Sequence, residues 1–336
     1  MCSWKIFHGN KTKPHSVPEW PDTPPWRRFS NHQQQQSNEK GTSFVITDDN
    51  VIETVNAAIH LRRPILLTGK PGTGKTSLAY AIAYELELEE VLVWPINTRT
   101  TLQDGLYYYD AIARLQDAQL ENAQPDIGHY IRLGALGTAM YPSDKPRVLL
   151  IDEIDKSDMD LPNDLLNLFE EGKFEIPELS RLVKNKKNKN QEEKNRIQEI
   201  VEVQTHDGDW KQVPRGEIIC RQFPIVIMTS NAERDFPIPF KRRCLSLTMK
   251  QPERTQLTKI IQSHFQLDPK KKLHKDIETL IAKFLELRDD DKKELATDQL
   301  LNAVFMLSGE QRKPTKQEKE RLMNLLFTPL TETGDF

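Results

Sequence analysis

The segment that most constrains this chain is Gly69-Lys70-Pro71-Gly72-Thr73-Gly74-Lys75-Thr76. An apolar run, Ile65-Leu66-Leu67-Thr68, precedes it. A stretch with helical spacing follows it, through Ala79, Ile82, Ala83 and Leu86. The pattern G-x-x-x-x-G-K-[ST], set between a strand and a helix, builds a cradle for a polyphosphate. Several backbone N–H groups must point inward, so glycine is needed where a Cβ would block close approach. The helix opening near Lys75 aims its first amides and its dipole at the same place. Lys75 supplies a point charge to the β and γ phosphates, and the Thr76 hydroxyl is a hard-oxygen ligand for Mg²⁺. The cradle is expected to run from Gly69 through Lys70, Pro71, Gly72, Thr73, Gly74, Lys75 and Thr76 to Ser77.

Two more apolar runs end in polar residues. Val148-Leu149-Leu150-Ile151 leads into Asp152-Glu153, and Ile225-Val226-Ile227-Met228 leads through Thr229-Ser230 into Asn231. In open α/β sheets, ligands bind at the carboxyl ends of the strands. Asp152 is therefore a candidate for the metal shell, and Glu153 for polarising an attacking water. A pair of acids after a strand is also a common helix-start feature, so this signal gains its weight from the glycine-rich loop. Asn231 can bond the same water or the γ-phosphate, and it also suits a plain turn.

Strand-like runs alternate with helical patterns, such as Asp49–Leu61, from Phe44 to Met249. That alternation predicts a parallel α/β sheet with helices on both faces. After Pro252 only helical patterns remain, as at 277–287 and 299–307. The expected division is an arm over 1–40, an α/β domain over 41–250 and an all-helical lid over 251–336. The arm is rich in proline, carries Trp4, Trp20 and Trp26, and ends in Gln33–Gln36. It reads as a strap docked by its rings, followed by a mobile tether. A lysine-rich insertion near 184–200 reads as a solvated loop or short exposed helix, between strand-like pieces at 173–176 and 200–204.

Charge and hydropathy exclude several classes. The chain has 336 residues with 47 basic and 50 acidic side chains, a net charge of −3. This gives no global footprint for nucleic acid. The mean hydropathy is −0.63, and no apolar run approaches the ~20 residues that cross a bilayer. Three scattered cysteines, Cys2, Cys220 and Cys244, offer neither a metal spacing nor a disulfide framework. A reducing, cytoplasmic setting is expected.

The three strand-end motifs, in this order, resemble the AAA+ superfamily of ATPases, and most of all its MoxR-like and dynein-related branch. The resemblance covers about residues 41–310. It matches Gly69–Thr76 to Walker A, Val148–Glu153 to Walker B and Asn231 to sensor 1. It implies a P-loop NTPase that binds ATP with Mg²⁺ between the α/β domain and the lid. Hydrolysis would fall on the β–γ phosphoanhydride, with Glu153 as base. Arg243, or Arg242 beside it, matches the arginine that reaches a neighbour's γ-phosphate; a surface arginine pair at a strand start is the bland reading. The stretch 98–106 and a hairpin formed by 174–177 and 200–204 match two inserts that line a ring's central pore. Sensor 2 matches only Lys292 or Lys293, where relatives carry arginine. The implied working form is a ring homo-oligomer, a hexamer, that remodels a protein client, such as one with a metal-binding adhesion domain of von Willebrand A type. A restriction-type nucleic-acid translocase and a nucleotide-dependent signalling switch are the alternatives.

Overall fold

The computed structural model describes residues 23–27, 33–46, 48–119, 126–186, 200–269, 271–289, 294–308 and 315–329. The described residues divide into two compact units. One contains 48–69 and 75–248 and carries the sheets. The other contains the N-terminal residues up to 47, the loop residues Lys70–Gly74, and everything from Met249 onward.

The sheet unit is built on five parallel strands, numbered in chain order: β1 (Ile65–Thr68), β2 (Leu92–Pro95), β3 (Val148–Asp152), β4 (Ile225–Ser230) and β5 (Leu245–Thr248). Their spatial order is β5-β1-β4-β3-β2. The inner strands are apolar throughout because both of their faces are covered. Leu67, Leu149, Leu150, Ile151 and Ile227 are fully buried. The register sets the function. Thr68 lies beside Ser230, and Met228 beside Ile151. The segments that follow β1, β3 and β4 therefore leave the sheet side by side at one edge.

Short strands form two further sheets. One has four strands in the order Tyr107–Tyr109, Ile131–Leu133, Ile200–Gln204 and Trp210–Pro214. The other pairs Lys173–Glu175 with Glu217–Ile219. This corrects the expected hairpin. The pieces at 174–177 and 200–204 are not partners: Phe174 faces Ile218, whereas Val201 faces Val213. Each piece is a strand as expected, but the partners that close both ladders lie at 210–219, whose polar, charged sequence hid them. The lysine-rich insertion begins inside the helix Pro177–Lys186, and its remainder, 187–199, lies outside the described residues.

Among the described residues, the unit that includes the C-terminal segment has helices and no strand: Arg254–His264, Lys275–Arg288, Thr297–Ser308 and Lys316–Leu326. Leu257, Ile261, Ile281, Phe284, Leu300 and Val304 form its core. The glutamine run departs from the expected tether. It opens the helix Gln33–Ser43, which continues across the expected boundary at residue 40. Trp26 meets His264, Phe265 and Phe305 edge-on, with ring centroids 5.8–6.4 Å apart. Trp4 and Trp20 lie outside the described residues. No helix among the described residues is long and apolar enough to cross a membrane.

Leu150 sits in the middle of β3, between β4 and β2. Leu150→Ala leaves a cavity there and is expected to destabilise the sheet unit by about 2–5 kcal/mol. Chemical denaturation measures this, and a wild-type midpoint would contradict the placement of β3 at the centre.

Candidate functional site

The loop after β1 must turn sharply and bring its backbone inward. Gly72 and Gly74 adopt φ of +73° and +87°, a left-handed conformation that side chains resist. Both are also crowded. A Cβ on Gly72 would lie 2.7 Å from the Ala296 Cβ, and one on Gly74 would lie 2.7 Å from the Phe44 ring. Lys70 pairs with Glu294 at 3.1 Å, and the Thr73 hydroxyl donates to the Lys70 carbonyl at 2.9 Å. Pro71 is exposed. The loop ends where the helix Lys75–Glu85 begins, and Ser77 is half-buried in its first turn.

Lys75 is buried, at 8% exposure. Its ammonium donates to the Gly69 carbonyl at 2.6 Å and to Oδ1 of Asn231 at 2.9 Å. Burial pushes its pKa below the ordinary lysine value, and the carboxylates of Asp155, Asp152 and Glu153 oppose that shift. Its bonds to a carbonyl and an amide oxygen thus lie among carboxylates.

Beside it, the Thr76 hydroxyl donates to Oδ1 of Asp152 at 3.3 Å. The same oxygen accepts from the Thr229 hydroxyl at 2.5 Å, while Oγ1 of Thr229 accepts the Glu153 N–H at 2.9 Å. Thr229 thus fixes both acids from the neighbouring strand. Glu153 holds φ at +60° immediately after β3. This swings its half-exposed carboxylate to Lys156, with 2.6 Å between Nζ and Oε2, and that bond raises the Lys156 pKa. Asp155 is buried and accepts the N–H of Asn231 at 2.9 Å.

The structure therefore gathers Lys75, Thr76, Asp152, Glu153 and Asn231 at the carboxyl edge of one parallel sheet. Thr76 and Asp152 offer two adjacent hard oxygens, a donor set that fits Mg²⁺, which is held by few protein ligands and completed by phosphate and water. Arg243 stands elsewhere. It closes the short helix Ile238–Arg243 and pairs with Glu170, near the end of the helix Asp160–Glu171; Arg242 is exposed. Lys292 and Lys293 lie outside the described residues. Sequence reasoning missed Thr229, Asp155 and Arg234. For Thr229 a signal existed: a threonine and a serine close an otherwise apolar strand, and both are buried.

Comparison with known proteins shows the family. The family model of the AAA domain (dynein-related subfamily) matches residues 64–244. That span is more than half of the chain, and the chain belongs to this family of AAA+ ATPases. Short matches link it to archaeal Lon proteases: 44% identity over 54 residues with the protein of Pyrococcus abyssi, and 42% over 60 residues with that of Thermococcus kodakarensis. These cover 15% and 17% of this chain but only 5% and 9% of the relatives, so the chain spans less than a tenth of their length. Among solved structures, domain III of the Thermotoga maritima replication initiation protein DnaA matches with a TM-score of 0.43 at 16% identity. It covers 87% of this chain and 98% of that one.

Thr229→Val removes the acceptor of the Glu153 N–H and the donor to Asp152 while keeping the volume. It is expected to cost about 1–3 kcal/mol of stability, because a part-buried N–H loses its acceptor. Thr229→Ser should retain most of it. Thermal denaturation of the pair decides: equal losses would mean that the hydroxyl is not the bridging group.

Proposed function

We propose that this chain binds ATP with Mg²⁺ at the Lys75–Asp152–Asn231 cluster and hydrolyses its β–γ phosphoanhydride. The observation that carries the reading is the Lys75 ammonium, held by Gly69 and Asn231 one strand away from Asp152 and Glu153. Lys75 exchanges these bonds for phosphate oxygens. Thr76 and Asp152 hold the metal, which when bound neutralises charge on the β and γ phosphates. Glu153, released from Lys156, accepts the proton of the attacking water. Asn231 moves from Lys75 to the water or the γ-phosphate.

Arg243 completes the site of a neighbouring copy. In the single chain it pairs with its own Glu170 instead, which fits a group that becomes useful only on assembly. The working form is then a ring, a hexamer by family resemblance, in a cytoplasmic setting. Its work is remodelling of a protein client, in the manner of the MoxR-like branch. A role on nucleic acid is the competing outcome; the net charge of −3 stands against it, and a steep fall of DNA binding with salt would support it.

Two expected outcomes test the site. Lys75→Ala weakens ATP binding about 10–100-fold, as loss of a charge-assisted contact implies; unchanged affinity by calorimetry removes the cradle. Glu153→Gln keeps ATP bound and slows turnover by about 10²–10⁴-fold; normal turnover means another base. A third concerns assembly. Arg243→Ala keeps ATP affinity and lowers turnover of the oligomer by up to ~10³–10⁵-fold. If wild-type monomers, separated by size exclusion, hydrolyse at the full rate, the shared site is wrong.

A further inference from the structure

The turns that follow β3 and β4 are joined by more than the strands themselves. Asp155, in the turn after β3, is only 5% exposed. Its Oδ2 accepts the N–H of Asn231 at 2.9 Å and that of Glu233 at 3.3 Å. Between these two residues, Ala232 is held at φ +61°, a conformation that a residue with a Cβ adopts only when its surroundings enforce it. The Ala232 N–H donates to Oγ of Ser230 at 2.9 Å. One residue further on, Arg234 reaches back across the gap. Its Nη2 donates to Oγ of Ser157 at 3.0 Å and to the Asp158 carbonyl at 3.1 Å.

The other oxygen of Asp155, Oδ1, is buried and has no hydrogen-bond partner among the described residues. A buried carboxylate left half-satisfied is costly and calls for a compensating role. The bonded oxygen, Oδ2, holds the backbone on both sides of Ala232.

We infer that Asp155 is a positioning residue for hydrolysis: it clamps the 231–233 turn so that the Asn231 amide stays where Lys75 and the γ-phosphate meet. The inference rests on the site reading above. It assigns Asp155 no contact with nucleotide. Without the clamp, the Ser230 and Arg234 bonds alone are left to hold Ala232 left-handed, the turn relaxes, and the Asn231 side chain leaves its place. A displacement of about 1 Å at a reacting centre can cost ~10²-fold in rate. Binding suffers far less, because the loop amides and Lys75 remain.

The test is a double-mutant cycle on the full chain, reading kcat, KM and thermal stability with ATP and Mg²⁺. Asp155→Ala is expected to lower kcat by at least ~20-fold with KM within about threefold of wild type, inside the range a misplaced group allows. The double variant Asp155→Ala/Asn231→Ala should be no slower than Asn231→Ala alone, since one residue acts through the other. Asp155→Asn still presents an oxygen to both N–H groups and should recover turnover to within about threefold of wild type. It also carries the test if the alanine variant does not fold. A folded Asp155→Asn variant that loses as much turnover as expected for alanine would overturn the inference, because charge rather than geometry would then matter. Additive losses in the cycle would do the same. A slow Asn231→Ala variant beside a fast Asp155→Ala variant removes this inference alone, whereas a fast Asn231→Ala variant removes the site reading with it.

Discussion

The buried ammonium of Lys75 is the constraint on which the site turns. A lysine taken out of water is stable as a cation only if anionic or strongly polar groups face it. Here they come from three different segments: the Gly69 carbonyl after β1, the carboxylates after β3 and the Asn231 amide after β4. No single segment could supply them all. They meet because β1, β4 and β3 are neighbours in parallel register, which places their carboxyl ends at one edge.

The second layer of the site is made of hydroxyls, one carboxylate and one guanidinium that carry no chemistry of their own. Thr229 bridges Asp152 and Glu153, and Asp155 and Arg234 bridge the two turns. Both turns contain a residue with a Cβ at positive φ, Glu153 and Ala232. Such strain persists only where the surroundings over-determine it, and these bridges are what over-determine it.

Much of this was legible in the residues. Three apolar runs, leading into glycine, acid and amide, told where the strands end, because a parallel strand buried on both faces must be apolar and its polar exit marks the ligand edge. The helices Asp49–Leu61 and Lys275–Arg288 followed from their periodicity. What escaped was non-local. The three-residue strands Tyr107–Tyr109 and Ile131–Leu133 are too short to show a period, and the partner of Lys173–Glu175 lies more than forty positions away at Glu217–Ile219. The glutamine run is too polar to announce the helix it opens. Asp155 reads as one more acid in Asp-Glu-Ile-Asp, and only its burial and its two N–H donors set it apart.

The central claim is that one polyphosphate and one metal occupy the edge formed by these three strand ends. Crystallography of the chain with a non-hydrolysable ATP analogue and Mn²⁺, using the metal's anomalous signal, tests it directly. The account predicts manganese density against the Thr76 hydroxyl on the Asp152 side, with the terminal phosphate in reach of both Lys75 and Asn231. A nucleotide bound elsewhere, with the Lys75–Asn231 bond intact, would contradict it.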